Sequence, residues 1–127
     1  MKKEILIITN NIEFRTLIET FLSRNFNVKM SPDGDEAIHI IENGYIPELI
    51  ICESSMLLSG RKISCISLEK DTLYKHIPML VLSEKEKCFS EKTISIDFLR
   101  KPFCLRDLET RIMNLIKKSE KIECPNI

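Results

Sequence analysis

The segment EILIIT, residues 4–9, is a short and almost continuous run of apolar and β-branched side chains. A strand with one buried face alternates apolar and polar residues, whereas a strand buried on both faces is apolar along its length. We therefore expect residues 4–9 to form a strand of a parallel sheet that is covered on both faces. Such a sheet needs helices between its strands, and the rest of the chain must supply both.

Four further segments have the pattern of strands: residues 27–30, 49–52, 77–82 and 96–99. Residues 49–52 form another short, wholly apolar run. Residues 77–82 are apolar too, and Pro78 is tolerated because it stands near the start of its strand. The chain is therefore predicted to contain five strands.

Helices are predicted between and after these strands. In the first and last of them, apolar residues recur at the spacing of one helical face. Asn10 or Asn11 can cap the first helix. Asp33 and Glu36, three positions apart, resemble a capping box for a second helix over residues 37–42. The two apolar faces consist of Phe14, Leu17, Ile18, Phe21 and Leu22 in the first helix and of Leu105, Leu108, Ile112, Leu115 and Ile116 in the last.

The remaining segments complete an α/β pattern. A third helix is predicted within residues 62–73, and residues 84–93 leave room only for a shortened fourth helix. Strands that alternate with helices predict a doubly wound five-stranded parallel sheet with right-handed crossovers. We expect one domain over residues 1–118, followed by a polar tail over residues 119–127.

Composition excludes several classes of function. The 127 residues carry 19 basic and 19 acidic side chains, so no overall charge favours nucleic acid or an anionic membrane. No apolar run approaches the length of a membrane span or signal peptide. We therefore expect a soluble, cytoplasmic domain that binds neither nucleic acid nor membrane.

Cysteine and glycine usage argues against metal and nucleotide sites. The five cysteines are scattered without a CxxC pair, so we expect no zinc site and reduced thiols that mostly pack as small apolar side chains. Only three glycines are present, and none forms a phosphate-binding loop. We expect no cofactor and no enzymatic activity.

Polar residues stand at the carboxyl ends of four of the predicted strands. They are Thr9 and Asn10 at the first, Glu53 at the third, Ser83 at the fourth and Lys101 at the fifth. In open parallel sheets, function gathers at the carboxyl ends of the strands. These five residues are therefore the candidate site.

With these residues in place, residues 4–118 resemble the receiver domain of bacterial two-component response regulators. The resemblance implies the flavodoxin-like fold. It also implies phosphoryl transfer onto an aspartate at the end of the third strand, with Mg²⁺ held by an acidic pair after the first. The matching stretches are residues 5–8 with Arg15, Asp33 to Ile38, Pro47 to Ile51, Met56 with Gly60, Ile77 to Ser83, and Lys101-Pro102-Phe103.

The chain departs from that pattern at the residues that carry the chemistry. Thr9 and Asn10 stand at the positions of the acidic pair, and Glu53 stands at the position of the phosphorylated aspartate. Mg²⁺ prefers oxygen ligands, mostly carboxylates, in octahedral geometry. We therefore expect weak or absent Mg²⁺ binding and inefficient phosphorylation. Ser83 and Lys101 match the family's hydroxyl and lysine positions.

Two residues have alternative interpretations at this point. Glu53 could neutralise Lys101, or it could reach toward Ser83 and Lys101 and imitate the phosphorylated state. Phe98 matches the family's switch aromatic, although an aromatic on a short strand also suits plain packing.

The sequence therefore favours an atypical receiver that acts in signal transduction as a phosphorylation-independent interaction module. Its expected partner is a signalling protein or a second copy of the chain. The alternatives are a conventional phosphorelay receiver and the regulatory N-terminal domain of a longer transcription regulator.

Overall fold

The computed structural model describes residues 2–53, 77–83, 96–101 and 103–123. The five described strands form one parallel sheet in the order β2-β1-β3-β4-β5. This is the doubly wound order in which β1 and β3 flank the point where the strand order reverses. It confirms the predicted fold class. The strands are β1 (Lys3–Ile8), β2 (Phe26–Ser31), β3 (Leu49–Glu53), β4 (Met79–Ser83) and β5 (Ile96–Arg100).

Three helices are described: α1 (Ile12–Leu22), α2 (Gly34–Glu42) and α3 (Leu105–Glu123). Asn11, rather than Asn10, caps α1, because its Oδ1 accepts a hydrogen bond from the backbone N–H of Phe14 at 3.0 Å. Asp33 caps α2 in the same way, at 2.8 Å from the N–H of Glu36. Such caps satisfy backbone donors that the first helical turn leaves without partners.

Some predictions about helices fall outside the described residues or at their limits. The third and fourth helices, predicted within residues 62–73 and 84–93, lie outside the described ranges. Helix α3 continues to Glu123, so the first part of the predicted polar tail is helical. The division of the chain at residue 118 stays a prediction.

Both faces of the sheet are covered. Ile5 and Ile7 of β1 pack into one apolar cluster with residues of α1 and α3. Leu6 and Ile8 pack into a second cluster with Ala37 of α2. Because successive side chains of a strand point to opposite faces, the four buried residues of β1, Ile5 to Ile8, are all apolar, whereas Lys3 and Glu4 at its start are only partly buried.

Two expectations about single residues are wrong. Leu17, placed on the buried face of α1, is 54% exposed. Cys52 is buried in the second apolar cluster, as expected, but it is disulfide-bonded rather than reduced. Cys104 is free and exposed.

The described part of the chain contains no helix that is both long enough and apolar enough to span a membrane.

Candidate functional site

The register of the parallel strands brings the candidate residues to one edge of the sheet. Glu53 is the last residue of β3 and pairs with Leu82, next to Ser83 at the end of β4. Thr9 follows β1, and its N–H extends the pairing with β2 by donating to the carbonyl of Ser31 at 2.9 Å. Thr9, Glu53 and Ser83 are 3%, 5% and 1% exposed, so these three residues are shielded from water.

The carboxylate of Glu53 has a donor on each oxygen. The Thr9 hydroxyl donates to Oε1 at 2.5 Å, and the Lys101 ammonium donates to Oε2 at 2.6 Å. A buried carboxylate is costly unless it is paired and hydrogen-bonded. Here a cation neutralises its charge and a hydroxyl satisfies its second oxygen, so this buried charge is compatible with a stable fold.

The hydroxyl of Thr9 both donates and accepts a hydrogen bond. It has one hydrogen, which goes to Glu53, and its oxygen accepts a hydrogen bond from the N–H of Asn11 at 3.1 Å. Asn11 is also the cap of α1. The loop between β1 and α1 is therefore tied directly to the Glu53 carboxylate.

Lys101 is positioned by the strand that precedes it. Its N–H donates to the carbonyl of Ser83 at 2.7 Å and extends the β4–β5 pairing by one residue. Its side chain is 27% exposed, and its Nζ lies 5.5 Å from the centroid of the Phe14 ring. Phe14 in turn meets Phe103 edge to face, with ring centroids 6.4 Å apart and planes at 86°.

The structure therefore brings together Thr9, Glu53 and Lys101 through side chains, and Ser83 through its backbone. Asn10 lies beside them but is exposed. Phe98 lies in the edge strand β5, where its backbone pairs with Val81. Its proposed switch role stays a prediction.

Phe14 and Phe103 were not among the predicted site residues. The sequence assigned Phe14 to the buried face of α1, and it does pack against that apolar cluster. A signal was available, because only residues 9–11 separate the end of β1 from the first turn of α1. Residues in that turn must lie near the carboxyl edge of the sheet.

These residues do not fit the Mg²⁺ that the receiver resemblance implies. A hard divalent cation needs several free oxygen lone pairs, usually from carboxylates. Glu53 is the one carboxylate at the positions that the resemblance assigns to the metal, and both of its oxygens already accept hydrogen bonds from protein donors. Within the described ranges, no cluster of three or more His, Cys, Asp or Glu side chains could hold a metal ion.

We predict that millimolar Mg²⁺ produces no saturable NMR shifts at Thr9, Asn10 or Glu53, because these positions offer one carboxylate, and Lys101 already neutralises its charge. A double variant, Thr9→Asp with Asn10→Asp, is the positive control. This variant adds two carboxylates and should show saturable shifts on addition of Mg²⁺. Saturable shifts at these residues in the unmodified protein would contradict the prediction.

Comparisons with known proteins find relatives in sequence and in structure. No protein-family model matches the chain. It is 34% identical over 119 residues to the sensor histidine kinase TmoS of Ectopseudomonas mendocina, covering 88% of this chain and 12% of that protein. It is 30% identical over 125 residues to the "Probable transcriptional regulator ycf27" of Cyanophora paradoxa, covering 94% of this chain and 50% of that protein. The chain thus spans only part of each relative.

A solved structure has a similar fold over almost its whole length. A response regulator receiver modulated diguanylate cyclase from Pelobacter carbinolicus superimposes with a TM-score of 0.72 and 26% identity, covering 94% of this chain and 97% of that chain. The chain therefore has the fold of a response regulator receiver domain, and its sequence relatives and structural neighbours include proteins of two-component signalling.

Proposed function

We propose that this chain is an atypical receiver domain that relays a signal by binding a protein partner, without being phosphorylated. One observation carries the proposal. The carboxylate at the position of the phospho-acceptor belongs to Glu53, and both of its oxygens are held by Thr9 and Lys101.

Phosphoryl transfer needs a nucleophile in line with the donor and a cation to stabilise charge on the transferring group. Glu53 is one methylene longer than aspartate, which moves its oxygens away from the expected point of attack. Its hydrogen bonds with Thr9 and Lys101 also withdraw electron density from both oxygens and make them weaker nucleophiles. Each of these features opposes the reaction.

The same contacts favour the interpretation that Glu53 neutralises Lys101 over the interpretation that it imitates the phosphorylated state. Its two oxygens are occupied by Lys101 and Thr9, and no contact with the Ser83 hydroxyl is needed to satisfy them. We infer that the ion pair holds the domain in one state, and that its partner recognises that state. The partner is a signalling protein or a second copy of the chain.

We expect incubation with acetyl phosphate to leave the intact mass unchanged, because Thr9 and Asn10 supply no carboxylates for Mg²⁺ and because Thr9 and Lys101 both hydrogen-bond the Glu53 carboxylate. Mass spectrometry of the treated protein checks this. A receiver that has aspartate at the acceptor position, treated in parallel, must become labelled for the result to count. A stoichiometric adduct that disappears in Glu53→Gln would instead establish a conventional phosphorelay receiver.

The lengths of the relatives favour a second candidate, in which the same domain regulates a longer protein. The chain matches 50% of the length of the Cyanophora paradoxa regulator. Under this proposal the receiver would pass its state to an output domain of the same polypeptide. Sequencing the complete reading frame decides between this arrangement and an independent domain.

A further inference from the structure

The Lys101 ammonium contacts two groups of different chemistry. It lies 2.6 Å from Oε2 of Glu53 and 5.5 Å from the centroid of the Phe14 ring. The second distance is within the range at which a cation is attracted to the negative face of an aromatic ring. The ring is therefore a second partner for a charge that the carboxylate already binds.

Phe14 is held in this place from two directions. Its backbone N–H donates to the Asn11 cap, which fixes the first turn of α1 beneath the ring. Its side chain is half-buried against the apolar cluster and meets Phe103 edge to face, the geometry that aromatic pairs prefer. A ring braced in this way can orient a flexible side chain beside it.

Lys101 needs such an orienting group. A lysine side chain has a flexible stem of four carbons, and it readily extends its charged end into water. Lys101 is 27% exposed, so water competes with Glu53 for its ammonium. An aromatic ring that attracts the ammonium lowers the fraction of Lys101 conformations in which the ammonium points into solvent.

We propose that Phe14, braced by Phe103, is a positioning residue that keeps Lys101 on Glu53. The segment from Thr9 to Phe14 then holds the ion pair at both ends: the Thr9 hydroxyl binds the carboxylate, and the Phe14 ring contacts the ammonium. The inference rests on the proposed function in one respect, because an ion pair that stays closed without a ligand is what maintains a single state.

The test is an NMR spectrum of the side-chain ammonium groups of the full chain. Hydrogens above an aromatic ring are shifted upfield, so we expect an upfield Lys101 signal in the unmodified protein. Phe14→Leu should remove that shift and speed exchange of the ammonium hydrogens with water by about two- to fivefold, the factor that a partly exposed cation–π contact supplies. Phe14→Tyr keeps the ring and should retain both properties.

Phe21→Leu is the matched control. Phe21 lies two helical turns further along α1, and it is half-buried against the same apolar cluster. A merely structural effect of losing a phenylalanine should therefore be the same in both variants. We expect Phe21→Leu to leave the Lys101 signal in place.

An unshifted Lys101 signal in the unmodified protein, or equal changes in Phe14→Leu and Phe21→Leu, would overturn the inference. These results are distinguishable from failure of the proposed function. A phosphate adduct on a protein whose Lys101 signal is shifted by the ring refutes phosphorylation independence but leaves the role of Phe14 intact.

Discussion

Replacing Lys101 with methionine should lower the free energy of unfolding by about 3 kcal/mol, because it leaves the buried Glu53 carboxylate without its cation. Removing one partner of a buried ion pair costs about 3 to 5 kcal/mol. The lower end applies here, since the Lys101 side chain is 27% exposed while that of Glu53 is 6% exposed. Methionine keeps most of the length and apolar character of the lysine side chain, so the loss reports mainly on charge.

Urea unfolding of both proteins measures this difference. The control is Lys3→Met, which removes the cation of a surface pair: Lys3 Nζ lies 3.3 Å from Glu48, and the two side chains are 42% and 41% exposed. Exposed pairs contribute at most about 1 kcal/mol. If Lys101→Met costs no more than Lys3→Met, Glu53 does not depend on Lys101 and the site is open to water.

Replacing Thr9 with valine should lower the free energy of unfolding by about 2 kcal/mol, the usual contribution of a hydrogen bond to a charged group. Valine has nearly the shape of threonine but cannot donate to Oε1 of Glu53, which accepts the hydroxyl at 2.5 Å. The N–H of Asn11 also loses its acceptor. Because Thr9 and Glu53 are both buried, water cannot readily replace these contacts.

Two further variants separate the hydroxyl from other effects of the substitution. Thr9→Ser keeps the hydroxyl and should retain most of the stability. Thr16→Val removes an exposed hydroxyl of α1, which donates to the carbonyl of Ile12 at 3.1 Å, and should change stability by less than about 0.5 kcal/mol. Equal losses in Thr9→Val and Thr16→Val would show that the bond to Glu53 contributes no special stability.

Much of the fold was predictable because its signals are local. The apolar run of β1 and the isolated apolar segment of β3 follow from burial on both faces of a parallel sheet. Asp33 was recognisable as a cap because its side chain binds a backbone N–H three residues away. Leu17 was misplaced because a helical stripe is broad, and only packing selects the residues that face the sheet.

The candidate site was likewise predictable from the sequence only in part. The sequence alone identified Thr9, Glu53 and Lys101, because each directly follows or ends a strand and parallel strands bring such positions to one edge. Only the tertiary structure decided that Thr9 and Lys101 take separate oxygens of one carboxylate, and that Phe14 contacts the lysine. Strand patterns arise from neighbours along the chain. The contacts of Glu53 and Lys101 join residues that are far apart in the sequence, and they depend on side-chain directions that no local pattern specifies.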